Sequence, residues 1–113
     1  MMRRLFLVLA MVAAASPAAA VARRAVVHQA KAPAIIVIAN MAYGSPPAGL
    51  HVGDTVEWVN HDIFLHSATA TDHSFDVQLR PGATGTVKLT HAGTIGYTCK
   101  YHPGMKSQLV VAK

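Results

Sequence analysis

Apolar residues in the second two-thirds of this chain alternate with polar ones, and no segment sustains a 3.6-residue apolar period. Thr55–Asn60 places Val56 and Trp58 on one face, and Phe75–Leu79 does the same with Phe75, Val77 and Leu79. Thr84–Leu89 turns Val87 and Leu89 inward. Thr94–Cys99 aligns Ile95, Tyr97 and Cys99. Ala34–Tyr43 is a β-branched run that reads as one strand buried on both faces, with Met41 in the core. Short extended pieces are expected at Leu50–Val52 and His66–Thr71, and a last strand over Met105–Val111. Turns fall at Gly44–Gly49, Gly53-Asp54, Asp72–Ser74, Arg80–Ala83 and Thr90–Gly93, where Gly, Pro, Asp and Ser gather. About seven short strands with such spacing predict an all-β sandwich.

The N-terminus follows a different pattern. Met1-Met2-Arg3-Arg4 leads into an unbroken apolar run from Leu5 to Ala15, then Ser16-Pro17 and the small residues Ala18–Ala20. That is the layout of a cleavable signal peptide over residues 1–20. The run is short of the roughly 20 apolar residues that a membrane-spanning helix needs. An exported, periplasmic protein is expected, with no stable membrane insertion after cleavage. Residues 21–33 read as a flexible lead-in that includes His28, and residues 34–113 as the single domain.

Composition sharpens this picture at two points. Of ten Lys and Arg, Arg3 and Arg4 belong to the leader, leaving eight against five Asp and Glu. The mature chain is mildly basic, and no basic run interleaved with aromatics points to nucleic acid. One cysteine cannot form an intramolecular disulfide, and an exported lone thiol needs burial or a metal to protect it from oxidation.

That cysteine lies in Tyr97-Thr98-Cys99-Lys100-Tyr101-His102-Pro103-Gly104-Met105, at the spacing C-x2-H-x2-M. Thiolate and thioether favour Cu(I), and imidazole serves both copper oxidation states. A His2Cys site with a weak axial Met requires one more histidine. His66, thirty-three residues upstream, is the candidate. It begins a mid-chain strand, while residues 99–105 join the last two strands, so both can occupy one end of a sandwich. Periodicity permits that meeting without showing it. His51, His61, His73 and His91 fall at turns, strand ends or a loop and read as solvated. Trp58 and Tyr97 read as core.

Gly53–Asn60, Leu65-His66 and Ala92–Met105 together resemble the cupredoxins, the family of plastocyanin, pseudoazurin and amicyanin. The likeness spans about residues 34–112, and the short ligand loop is most similar to that of the amicyanins. It implies a Greek-key β-sandwich with one type 1 copper held by His66, Cys99, His102 and axial Met105. It also implies one-electron transfer between redox partner proteins, by a monomer that turns over no substrate. Two positions depart from the family pattern: Ser67 follows the first histidine where many members have Asn, and Lys100-Tyr101 stands where amicyanins have Thr-Pro.

The same four ligands would also serve a copper-binding or delivery protein that releases its ion to an acceptor. Enzyme classes find less support. The chain has no H-x-H or H-C-H pair for further copper centres and no His/Glu cluster for zinc hydrolysis. Cys99 and His102 lack a third orienting group for nucleophilic catalysis. Backbone N–H groups near Ser67 and Tyr101 are expected to bond the thiolate. Phe64, Leu65 and Pro103, with Pro46 or Pro47, are expected to rim His102, with Lys100 and Lys106 nearby.

Overall fold

The computed structural model describes residues 10–14 and 31–113. The expected leader over residues 1–20 lies outside the described residues apart from 10–14, as does the lead-in 21–33 apart from 31–33. Among the described residues there is no helix, and nine strands form two sheets. They are β1 (Ala34–Ala39), β2 (Ala42–Tyr43), β3 (Leu50–His51), β4 (Thr55–Asn60), β5 (His66–Ala70), β6 (Asp76–Leu79), β7 (Thr84–Lys88), β8 (Gly93–Thr98) and β9 (Lys106–Ala112).

One sheet has the order β2-β1-β4-β7 and the other β3-β9-β8-β5-β6. The chain crosses between sheets from β2 to β3, β3 to β4, β4 to β5, β6 to β7 and β7 to β8, the connectivity of a Greek-key sandwich. β1 pairs parallel to β4, with Ile36 opposite Trp58, and β3 pairs parallel to β9. The remaining ladders are antiparallel.

Alternation is what makes the core. Val56 and Trp58 of β4, Leu79 of β6, Ile95 and Tyr97 of β8, and Leu109 and Val111 of β9 are all buried. Each fully buried aliphatic side chain contributes about 1.5–3 kcal/mol by leaving water. Trp58 sits at the centre, its ring 5.3 Å from Phe75 and 5.5 Å from Tyr97, with Tyr43 a further 4.7 Å from Tyr97.

The segment Ala34–Tyr43 departs from expectation. It is two strands, because Asn40 and Met41 take φ of 52° and 61° and turn the chain back in a tight hairpin. Nor is it buried on both faces. Ile36 and Ile38 point inward, while Ile35 and Val37 on the other face are exposed, since nothing obliges an apolar side chain to be covered. Met41, expected in the core, is 39% exposed at the turn. The two-residue strands β2 and β3 raise the count from about seven to nine.

Side chains of β6 close over Gly85 of β7, where an added Cβ would lie 2.2 Å from Val77 Cγ1 and 3.1 Å from Leu79 Cδ2. Gly85→Ala is expected to destabilise the fold by about 1–3 kcal/mol through overpacking. In a domain this size each kcal/mol lowers Tm by roughly 4–8 °C, which a thermal melt reads directly.

Acid should also weaken the fold. Lys31 beside Asp54, Ser74 beside Asp72 and Lys100 beside Asp76 hold these carboxyls below their ordinary value. A depressed folded value adds stability above the unfolded carboxyl value of about 3.9, and that stability is lost as pH falls through the folded values. Urea midpoints are expected to hold steady near neutrality and to fall below about pH 4, with a smaller fall in the Asp76→Asn variant.

Candidate metal centre

The β8–β9 hairpin carries three of the four expected ligands in its connecting loop. The loop is tight: Met105 N–H donates to His102 O at 2.9 Å, and Cys99 N–H donates to Met105 O at 3.2 Å. β5 runs antiparallel to β8 with Thr69 opposite Thr98. Continued by one residue, that register sets Cys99 across from Ala68, beside the start of β5 where His66 lies. Pairing of two strands distant in sequence thus brings imidazole and thiol together.

His66, Cys99 and His102 converge. Cys99 Sγ is 3.8 Å from His66 Nδ1 and 3.7 Å from His102 Nδ1, and the three donor atoms lie within 4.8 Å of one another. A first-row ion with bonds of about 2.0 Å to nitrogen and 2.3 Å to sulfur in a trigonal plane spaces its nitrogen and sulfur donors about 3.7 Å apart. The observed separations match, so the residues fit such an ion without rearrangement. Cys99 and His66 are buried, and His102 is half-buried with its ring 6.2 Å from Phe64. Met105 is also buried, bonded through its backbone to both Cys99 and His102.

Polar residues around the cluster fix it in place. Ser67 N–H points at Cys99 Sγ from 3.4 Å. Among the described residues no backbone N–H near Tyr101 joins it in bonding the thiol; the Tyr101 hydroxyl accepts from Gln78 Nε2. Lys100 N–H donates to Ser67 Oγ, and Ser67 Oγ lies 2.9 Å from Thr69 Oγ1. Thr69 Oγ1 donates to Asp76, so the Ser67 hydroxyl must supply the proton between the two hydroxyls. Asp76 in turn pairs with Lys100 Nζ at 2.9 Å and raises the lysine above its ordinary value. The result is a closed ring that starts and ends at Lys100 and locks the cysteine loop onto β5 and β6. Ser67 thus ties the two ligand-bearing segments together.

A second anchor holds His66. Asn60, fully buried at the end of β4, donates through Nδ2 to Phe64 O at 2.8 Å and Leu79 O at 2.9 Å, while its Oδ1 accepts from Asp62 N–H. Asp62 then accepts from His66 Nε2 at 2.8 Å and from the N–H groups of Asn40 and Met41. The Met41 N–H, helped by the His66 and Asn40 bonds, holds the Asp62 carboxyl below its ordinary value. Tyr43 donates its hydroxyl to Ser67 O, and burial pushes that phenol well up. The sequence pattern offered one signal for these: Asn60 continues the inward parity of Val56 and Trp58, a polar side chain where an apolar one belongs.

The other histidines stay apart. His51 Nδ1 lies 3.0 Å from Gly49 O, His91 Nε2 pairs with Asp72 at 3.0 Å, and His61 and His73 are exposed. His28 lies outside the described residues. The donor trio is the one such cluster among the described residues. Of the expected rim, Phe64 is exposed and Leu65 half-buried, and Met41, Ile63 and Tyr101 add exposed apolar surface on the adjoining turns. Pro46 and Pro47 instead line a groove along β9 with Gln108 and Val110.

No family model matches the chain. Amicyanin of Paracoccus denitrificans is 30% identical over 83 residues, which is 68% of this chain and 63% of that relative. The chain therefore spans less than two thirds of the relative's length. Among solved structures, the Cu(I) form of a methionine-to-alanine mutant of amicyanin is 29% identical with a TM-score of 0.64, covering 74% of this chain and 86% of that one. A reduced tryptophan-to-tyrosine mutant of amicyanin is 27% identical with a TM-score of 0.65 over the same shares. Relationship in sequence and likeness in fold agree with the donor cluster: this chain has a cupredoxin-like fold and is similar to the amicyanins.

Proposed function

We propose that this chain is an exported, periplasmic blue-copper protein that passes single electrons between redox partner proteins. One copper would be held by His66, Cys99, His102 and the thioether of Met105. The observation that carries this reading is the thiol of Cys99, buried and set between two imidazole nitrogens at 3.7 and 3.8 Å. Bound copper would supply reversible one-electron chemistry between Cu(I) and Cu(II).

The chain's own residues do the rest. Burial of Cys99 and His66 keeps water and oxidants from the thiol. The Ser67 N–H stabilises a thiolate, and the Lys100–Ser67–Thr69–Asp76 ring keeps its loop from shifting between oxidation states. His102 is the donor nearest solvent, and the apolar side chains of Met41, Ile63 and Phe64 lie on neighbouring turns. Such a rim suits brief docking at the small end of protein interfaces. Lys100 adds little steering charge there, because Asp76 neutralises it.

The copper-loaded chain is expected to show an intense thiolate-to-Cu(II) visible band and narrow parallel hyperfine splitting in EPR. Cys99→Ser should abolish the band. His102→Ala should lower copper affinity by more than the roughly 10–100-fold typical of losing an outer-shell partner, and should slow electron exchange. A chain that holds only Cu(I) and stays colourless would favour copper delivery, and an unchanged spectrum in His102→Ala would reject the ligand assignment.

A further inference from the structure

We infer that Asp62 is the positioning residue of this centre, and that its carboxylate fixes His66 for metal binding and holds the copper's reduction potential down. The inference rests on the copper reading above and extends it to a residue that is not itself a ligand.

Two independent observations meet at this side chain. The first is the tautomer of His66. Asp62 Oδ2 lies 2.8 Å from Nε2, and an ionised carboxylate only accepts hydrogen bonds. Nε2 therefore carries the proton, and the lone pair is left on Nδ1, the atom that faces Cys99 Sγ. The imidazole is fully buried, and these two contacts are the ones its nitrogens make.

The second is the β1–β2 turn. Asn40 and Met41 both occupy left-handed backbone, at φ of 52° and 61°, where a two-residue hairpin normally has Gly in the second place. Their consecutive N–H groups point at the two oxygens of Asp62, at 2.8 and 2.9 Å. A methionine persists in that conformation because the carboxylate over-determines the turn. Asp62 N–H is itself held by the buried Asn60. One carboxylate thus joins the ligand His66, the buried Asn60 and the turn that presents Met41 at the surface.

Asp62 has no lysine or arginine partner among the described residues, and its side chain is only 13% exposed. An unneutralised negative charge therefore sits one imidazole ring from the donor cluster. The oxidised ion carries one more positive charge than the reduced ion, so the carboxylate favours Cu(II) and lowers the potential.

Asp62→Asn tests this without changing shape, because the amide oxygen can still accept from His66 Nε2. The variant is expected to shift the ratio of Cu(I) to Cu(II) affinity about tenfold toward Cu(I), a rise of about 59 mV by protein-film voltammetry. Should loss of the turn contacts prevent folding, the same substitution is made together with Met41→Gly, which gives the hairpin its preferred Asn-Gly and removes its need for the carboxylate. The expected rise is then measured against Met41→Gly alone. Long-range proton–nitrogen NMR on the metal-free chain reads the tautomer directly: Nε2–H at His66 is expected, with a mixture in Asp62→Ala. An intact chromophore with a potential that moves by less than a twofold ratio would overturn this inference alone, as would an Nδ1–H tautomer in the metal-free chain. A wild-type chain without a copper chromophore would overturn the copper reading, and the effect on potential with it.

Discussion

The ladder between β5 and β8 carries the rest of this molecule. Its antiparallel register sets Thr69 against Thr98, and the next residues along each strand bring Cys99 to the His66–Ser67 corner. From that corner Ser67 reaches the thiol through its N–H and the Lys100 amide through its hydroxyl. Slipping the register by one residue would turn Cys99 and Tyr97 out of the core, because side chains alternate along a strand. The large buried cluster of Trp58, Tyr97 and Leu109 forbids that slip. Packing in the middle of the sandwich therefore sets the donor geometry at its end.

What surrounds the donors is a set of satisfied polar contacts in place of oily packing. Asn60 uses both amide atoms, Asp62 accepts from three N–H groups, and the Ser67–Thr69–Asp76 relay closes on Lys100. Buried polar groups cost stability unless their partners are present, so the contacts of the buried Asn60, His66 and Ser67 also select one arrangement over others. A centre that changes charge without changing shape benefits from such a frame. The donors are already at metal-binding separation, and little remains to reorganise.

Much of this was legible from residues alone, for reasons that differ by feature. Alternation is local, so the inward faces of Thr55–Asn60 and Thr94–Cys99 could be read directly, and the C-x2-H-x2-M loop lies within a single hairpin. His66 could be named a candidate from the donor chemistry and its place at the start of a strand, but its meeting with Cys99 could not be read, since strand pairing between β5 and β8 leaves no local trace. The turn at Asn40-Met41 went unread because it contains no glycine, and its support comes from Asp62, more than twenty residues away. Asp62 and Thr69 were likewise silent: each looks like an ordinary polar residue until its partners are seen. Met41 was misplaced for the same reason, its apolar character pointing to the core while the turn puts it at the surface.

The central claim is that two imidazoles and one buried sulfur meet at a single ion. Copper K-edge X-ray absorption of the loaded chain tests it most directly. One short sulfur shell with two nitrogen scatterers, and loss of the sulfur shell in Cys99→Ser, is the expected result. A shell of nitrogen and oxygen alone, unchanged by that substitution, would contradict it.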